Sequence, residues 1–184
     1  IEGYYAGTGI MTPVLFNQGV TGNTSLTDTI TVQLRNVTAP YSVVSTTKAV
    51  LNTNGTATCV FTPFVSGTYY IEVLHRNALK TWSSNGVAVG AVPASYDFSN
   101  LASKAYGSNQ KQVGNSPAVF AFYSGELYPD ENVDIFDLGI LEAGINNFLF
   151  GYQASDINGD GNVDILDSPL IDENVNNFIF SIHP

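Results

Sequence analysis

The stretch NVDIFDLGILEAGINNFLF, residues 132–150, returns thirty residues later as NVDILDSPLIDENVNNFIF, residues 162–180. A tandem duplication of this length constrains the fold strongly. It means one supersecondary unit used twice, because neither copy can bury its apolar face alone. Within each copy apolar residues fall at helical spacing: Ile135, Leu138, Leu141 and Ile145, then Ile165, Leu170, Ile171 and Val175. Asn146-Asn147 and Asn176-Asn177 predict the helix ends, since Asn tolerates the left-handed conformation. Phe148, Phe150, Phe178 and Phe180 recur behind the helices, and an aromatic pair in the same place twice predicts a shared buried role.

In front of the second helix stands DINGDGNVDILD, residues 156–167, with four aspartates, two asparagines and two glycines in twelve positions. Asp156, Asn158 and Asp160 occupy positions 1, 3 and 5 of a twelve-residue calcium loop, and Gly161 at position 6 allows the sharp turn. Asn162 offers its carbonyl at position 7, Asp164 stands at position 9, and Asp167 closes the shell at position 12. Calcium takes six to eight oxygens in loose geometry, which suits carboxylates and amides, and no Cys or His stands nearby for zinc. Val163 at position 8 points toward the core, to meet its counterpart Val133.

The first copy, ELYPDENVDIFD, places Glu126, Tyr128, Asp130, Asn132, Asp134 and Asp137 at positions 1, 3, 5, 7, 9 and 12. Tyr128 replaces an oxygen-rich ligand and Glu131 replaces the turn glycine. Two alternatives stay open: a second calcium site completed by a carbonyl or water, or a vestigial loop.

Charge divides the chain at the same place. Up to residue 125 there are six Lys and Arg against four Asp and Glu; beyond it there are twelve acids and no base. The tail is also rich in Ile, Leu and Phe, so it is not a disordered acidic tail. Such a surface is a poor partner for nucleic acid, and no apolar run reaches the roughly 18 residues of a membrane span. The start at Ile1, with no signal-peptide pattern, reads as a processed fragment or excised module. Cys59 is the only cysteine, which excludes an internal disulfide.

Residues 1–124 follow a different grammar. TITVQLRNV, YSVVSTTKAVL, TATCVF and GTYYIEVLHRN alternate polar with apolar or β-branched residues, and NTNG, TPFVSG and SSNG between them are turn chemistry. This predicts an antiparallel β-sandwich of immunoglobulin-like type, residues 1–124, followed by a small α-helical domain with two EF-hand-type calcium loops, residues 125–184.

Two calcium loops, each followed by one helix and closed by aspartate, resemble the type I dockerin module over residues 125–184. The second loop matches that motif closely; the first departs at positions 3 and 6. The resemblance implies folding around calcium, extracellular location, and attachment to a cohesin-like protein partner. In many dockerins loop positions 10 and 11 begin the recognition surface. Here they are Ile135-Phe136 and Ile165-Leu166, apolar where a Ser/Thr pair is common, which fits a hydrophobic interface or docking onto the chain's own β-domain. Upstream, YYIEVLHRNALKTWSS and YDFSNLASKAYGSNQKQVG resemble the β-sandwich modules that precede dockerin-like repeats in large secreted proteins of Bacteroidetes-like bacteria. They are also similar to immunoglobulin-like X modules.

No catalytic constellation is present: no HExxH, Gly-rich phosphate loop or Ser/His/Asp arrangement. His75-Arg76 reads as a strand-edge cluster packing on Trp82, and Glu72 as a lone, exposed strand acid. The chain thus reads as a non-catalytic docking or assembly module. Two alternatives remain, a subunit of an extracellular fibre or surface layer, and a polysaccharide-binding module using Tyr4, Tyr5, Tyr41, Trp82, Tyr96 or Tyr106.

Overall fold

A computed structural model describes all 184 residues. Strands β1 (Tyr5–Gly7) and β2 (Ile10–Met11) precede a short helix α1 (Val14–Asn17). Then come β3 (Leu26–Asn36), β4 (Val43–Asn52), β5 (Gly67–Leu74), β6 (Thr81–Trp82) and β7 (Val87–Val89). Two single 3-10 turns lead to β8 (Lys111–Asn115) and β9 (Ala118–Ala121), and the tail carries α2 (Ile135–Asn146) and α3 (Ser168–Asn176). The fold is mainly β with few helices.

The principal sheet is antiparallel, in the order β4-β3-β5-β6, with β7 also paired to β5. Two separate hairpins, β1-β2 and β8-β9, complete the strands, so they divide as five, two and two. Alternation along β3 sets the faces. Ile30, Val32 and Leu34 are buried, while Thr29, Thr31, Gln33 and Arg35 point the other way. Ile30 and Val32 join Ala49, Leu51 and Val73 under a cover made by Ile1, Tyr4, Met11 and Val14, with Phe98 and Phe122 at the margin. A second layer therefore exists, built from the first hairpin, α1 and connecting segments.

Three of the four expected strands form. The fourth, TATCVF, does not: it keeps one isolated bridge, Leu51 to Ala57, while Ala57, Cys59 and Phe61 turn toward the core from an irregular segment. Its alternation serves packing without a ladder partner. Glu72 is also not exposed; it is fully buried and paired with Arg35 at 2.7 Å, because its face of β5 is covered.

Each half of the tail is a loop followed by a helix, as the duplication predicts. Asp134 caps α2 by accepting from Phe136 N at 2.8 Å, and Asp137 completes the capping box. Helix α3 begins three repeat positions later than α2, at Ser168. Pro169 in its first turn has no N–H to close the turn before it. Leu141 and Ile171, equivalent in the repeat, are both buried with Val133, Val163 and Ile157. Leu79, from the first segment, completes this small core.

The four phenylalanines correct the sequence-based expectation. Phe148 and Phe178 are 85% and 84% exposed, and Phe150 and Phe180 are exposed as well. Phe148 and Phe178 themselves take the left-handed conformation, φ 52° and 53°, after Asn147 and Asn177. That turn throws both rings outward; of the residues between the aromatics, Ile179 packs at the margin of the tail core and Leu149 is exposed. The recurrence is real, but it does not mark burial.

Candidate calcium loops and docking face

The two loops share one hydrogen-bond pattern. In the second, Asp156 Oδ2 accepts from Gly161 N at 2.9 Å. Asp167 Oδ1 accepts from Ile157 N and Asn158 N at 2.7 and 2.9 Å, and its Oδ2 from Asp164 N at 3.0 Å. In the first, Glu126 Oε1 accepts from Glu131 N at 2.7 Å. Asp137 Oδ1 accepts from Leu127 N and Tyr128 N at 2.6 and 2.7 Å, and its Oδ2 from Asp134 N at 2.8 Å. Asp160 Oδ1 holds Asn162 N at 2.8 Å as Asp130 Oδ1 holds Asn132 N at 3.1 Å. Each loop is also joined to the segment that follows the other loop's helix by one isolated bridge: Asn132 bridges Phe180, and Phe150 bridges Asn162.

Burial makes these carboxylates costly. Asp137, Asp156 and Asp167 are fully buried and Glu126 nearly so. Burial pushes Asp167 up to about 6 and Glu126 up to about 7, and raises Asp137 and Asp156 as well. None of the four pairs with Lys, Arg or His. Glu126 Oε2 is buried without any donor. No three His, Cys, Asp or Glu side chains stand in metal-binding geometry by themselves. A cation in either loop thus depends on amide and carbonyl oxygens beside the carboxylates, as a calcium loop does. An oxygen-only donor set, a glycine at φ 99° at position 6 of the second loop, and an orphaned buried carboxylate oxygen in the first fit a hard cation in chemistry.

The first loop keeps its turn without glycine. Glu131 sits at φ 76°, and its carboxylate is held by Lys80 and by His183 at 3.0 Å. Burial works upward on this group, but those two partners outweigh it and hold its carboxyl below the usual range. Tyr128, at position 3, contributes its backbone N–H and leaves its ring half-exposed beside Phe136.

Ile135 and Phe136 open α2, Ile165 and Leu166 lie in the turn before α3, and all four are 63–74% exposed. A groove of about 290 Å³ runs beside the first loop, lined by Val133, Val175, Phe178, Ile179 and Phe180 among others. The tail thus exposes apolar side chains among its acids and asparagines.

One side of the tail rests on the first segment. Arg76 bonds the Gln153 carbonyl and stacks over the Tyr152 ring at 4.3 Å, and Asn77 Nδ2 donates to the Asp156 carbonyl at 3.0 Å. Lys111 meets Glu173, and Asn174 Nδ2 donates to Glu2 Oε2 at 2.7 Å. Arg76 is anchored by Asp28, which also accepts from Tyr152 Oη at 2.7 Å and meets His75 Nε2 at 3.0 Å. Burial pushes Asp28 up, but His75, Arg76 and Tyr152 outweigh it and hold its carboxyl well below the carboxylate range. His75 packs on Tyr4, not on Trp82; Trp82 is buried and stacked on His183 at 5.4 Å. Tyr4 and Trp82 are thereby withdrawn as sugar-stacking candidates, while Tyr5, Tyr41, Tyr96 and Tyr106 are half-buried. Gln18, Arg76, Asn77 and Lys80 carried no motif, and only the opposite charge of the two segments pointed to such a clamp.

No protein-family model matches the chain, and no curated protein sequence matches it. The chain is similar in structure to one chain of a type II cohesin–X–dockerin complex from Acetivibrio cellulolyticus bearing an N-terminal interface mutation. The identity is 16%, over 82% of each chain, with a TM-score of 0.46. A C-terminal interface mutant of that complex gives 17% identity over 79% of this chain and 80% of the other, with a TM-score of 0.45. No helix is long and apolar enough to cross a membrane.

Proposed function

We propose that this chain is a non-catalytic, extracellular, calcium-binding docking module whose tail presents an apolar face to a protein partner. The observation that carries this reading is the matched geometry of the two loops. Carboxylates at equivalent positions hold equivalent amides in both loops, four of those carboxylates are buried without a cationic side chain, and an exposed apolar pair stands at positions 10 and 11 of each loop. Asp156, Asn158, Asp160, Asn162, Asp164 and Asp167 would hold one ion, and Glu126, Asp130, Asn132, Asp134 and Asp137 a second. Calcium would relieve the repulsion among these carboxylates and fix the helix behind each loop. Ile135, Phe136, Ile165 and Leu166 would then be offered as a dockerin-like surface to a cohesin-like partner. The upstream β-part would act as a rigid platform, as an X-module does.

Calcium titration by calorimetry tests the reading. The intact chain is expected to bind at least one ion, and Asp160→Ala to remove the tighter site while Asp130→Ala does less. Calcium-dependent capture of a secreted protein of the source organism should be lost in Phe136→Asp/Leu166→Asp while the fold is kept. Absence of any calcium binding would end the proposal.

A second reading, self-assembly into a fibre or surface layer, is favoured by the four exposed phenylalanines. It predicts concentration-dependent light scattering that Phe148→Ser/Phe178→Ser abolishes.

A further inference from the structure

The second loop is enclosed by the first segment in a way the first loop is not. Helix α1 ends against it: Gln18 Nε2 donates to Asp156 Oδ2, and Asn17 Nδ2 donates to the Gly159 carbonyl at 3.1 Å. Gln18 is buried, and its Oε1 in turn accepts from Arg76 Nη2 at 3.1 Å. A Cβ at Gly159 would stand 2.4 Å from Val14 Cγ2, and one at Gly161 would stand 3.0 Å from the Asn17 carbonyl oxygen. The first loop shows that a side chain at position 6 is compatible with this turn, since Glu131 occupies it at φ 76°. The glycine at position 6 of the second loop therefore answers to α1 as well as to the loop.

We infer that Asn17 and Gln18 are positioning residues for the cation site of the second loop, so that calcium binding there and seating of the tail on the β-part are one coupled equilibrium. This rests on the calcium reading proposed above. The physical reason is orientation. Asp156 supplies the position-1 carboxylate, and an amide outside the loop fixes its rotamer before an ion arrives. Outer partners of metal ligands act in this way, and their loss commonly weakens affinity about ten- to a hundredfold. The donor is a neutral amide, which orients the carboxylate without opposing a cation. In the first loop the outside groups are Lys80 and His183, and they hold Glu131 at position 6, not the position-1 ligand Glu126. Linkage makes the effect reciprocal: whatever α1 adds to calcium affinity, calcium returns to the seating of α1.

The test uses the intact chain. Calorimetric calcium titration of Gln18→Ala is expected to show the second site about tenfold weaker and the first site unchanged, whereas general destabilisation would weaken both. Amide exchange on the unmodified chain, with calcium and then with excess chelator, needs no variant. Amides at 16–20 and 76–78 are expected to lose protection on chelation. Calcium bound normally, with Gln18→Ala within twofold of wild type and those amides indifferent to chelation, would overturn the coupling and leave the calcium reading intact. No calcium binding by the unmodified chain would overturn both.

Discussion

Glu131 meets Lys80 across the seam between the tail and the β-part, at the one loop position where a glycine is expected. The left-handed backbone of a non-glycine residue costs roughly 1–2 kcal/mol, and a partly exposed ion pair returns less than about 1 kcal/mol. The first loop therefore holds its turn at a small net cost, offset by fastening to Lys80 and to His183. The same acid thus replaces a metal-motif residue and adds a tether.

That balance predicts the behaviour of Glu131→Gly. Removing the backbone strain and the two tethers together should leave stability within about 1 kcal/mol of wild type at low ionic strength. At high salt the tethers are screened in the wild type, so the variant should become the more stable of the two. Urea denaturation at two salt concentrations checks this; a variant clearly less stable at both would show the pairs to be stronger than exposure allows.

Phe148 and Phe178 give the second prediction. Each holds a large ring in solvent on a left-handed backbone that Asn or Gly adopts at lower cost. Phe148→Asn and Phe178→Asn should therefore raise stability slightly, by about 0.5–1 kcal/mol. Binding of the partner captured by the wild-type chain should weaken at least tenfold in one of them. A position kept against stability twice in one repeat points to use at an interface. Loss of stability in either variant would return the rings to a structural role.

The third prediction concerns Leu79, which leaves the β-part to complete the tail's core. Leu79→Ala should cost about 2–5 kcal/mol, as buried leucines do. The loss should be local. Amides of α2 and α3 should exchange faster while those of β3 and β5 keep their protection. Equal loosening of both parts would mean the two segments unfold as one.

Much of the tail was legible in the sequence because its signals are local. The oxygen spacing of 156–167, the thirty-residue return and the spacing of Leu138, Leu141 and Ile145 each lie within a few turns of chain. Strands β3, β4 and β5 were legible for the same reason, through period-two alternation. TATCVF carried that period too, yet it meets the edge of β4 at a single bridge, Leu51 to Ala57, and forms no ladder there. The aromatic recurrence was read as burial because repetition reports a common role without saying which role. The seam was the least legible part: Gln18 meets Asp156, and Lys80 meets Glu131, across long sequence separations, through single side chains that form no pattern.

The last prediction follows from the acid at the centre of that seam. Asp28 is fully buried and faces Tyr4, His75, Arg76 and Tyr152, with Thr29 N donating to it at 2.7 Å. Its folded-state pKa is depressed, so its contribution is present above the unfolded value of about 4 and is lost as pH falls through the folded value. His75 is lowered mainly by burial, against the pull of Asp28, so the folded state holds this ring neutral where an unfolded one is already charged. These two groups therefore withdraw stability as pH drops below about 6.5, the unfolded histidine value, and again below about 4, while in the metal-free chain the loop carboxylates, Glu126 at about 7 and Asp167 at about 6, act the other way; calcium holds them ionised and removes that opposition. Asp28→Asn keeps the shape but removes the charge that anchors Arg76, and should cost about 2–3 kcal/mol at neutral pH. The variant should also lose the lower of the two acid transitions. Thermal melts of both proteins in calcium from pH 8 to 3 measure this. A variant whose profile still falls below pH 4 as the wild type does would place that acid sensitivity in the release of calcium from the protonated loops instead of at Asp28.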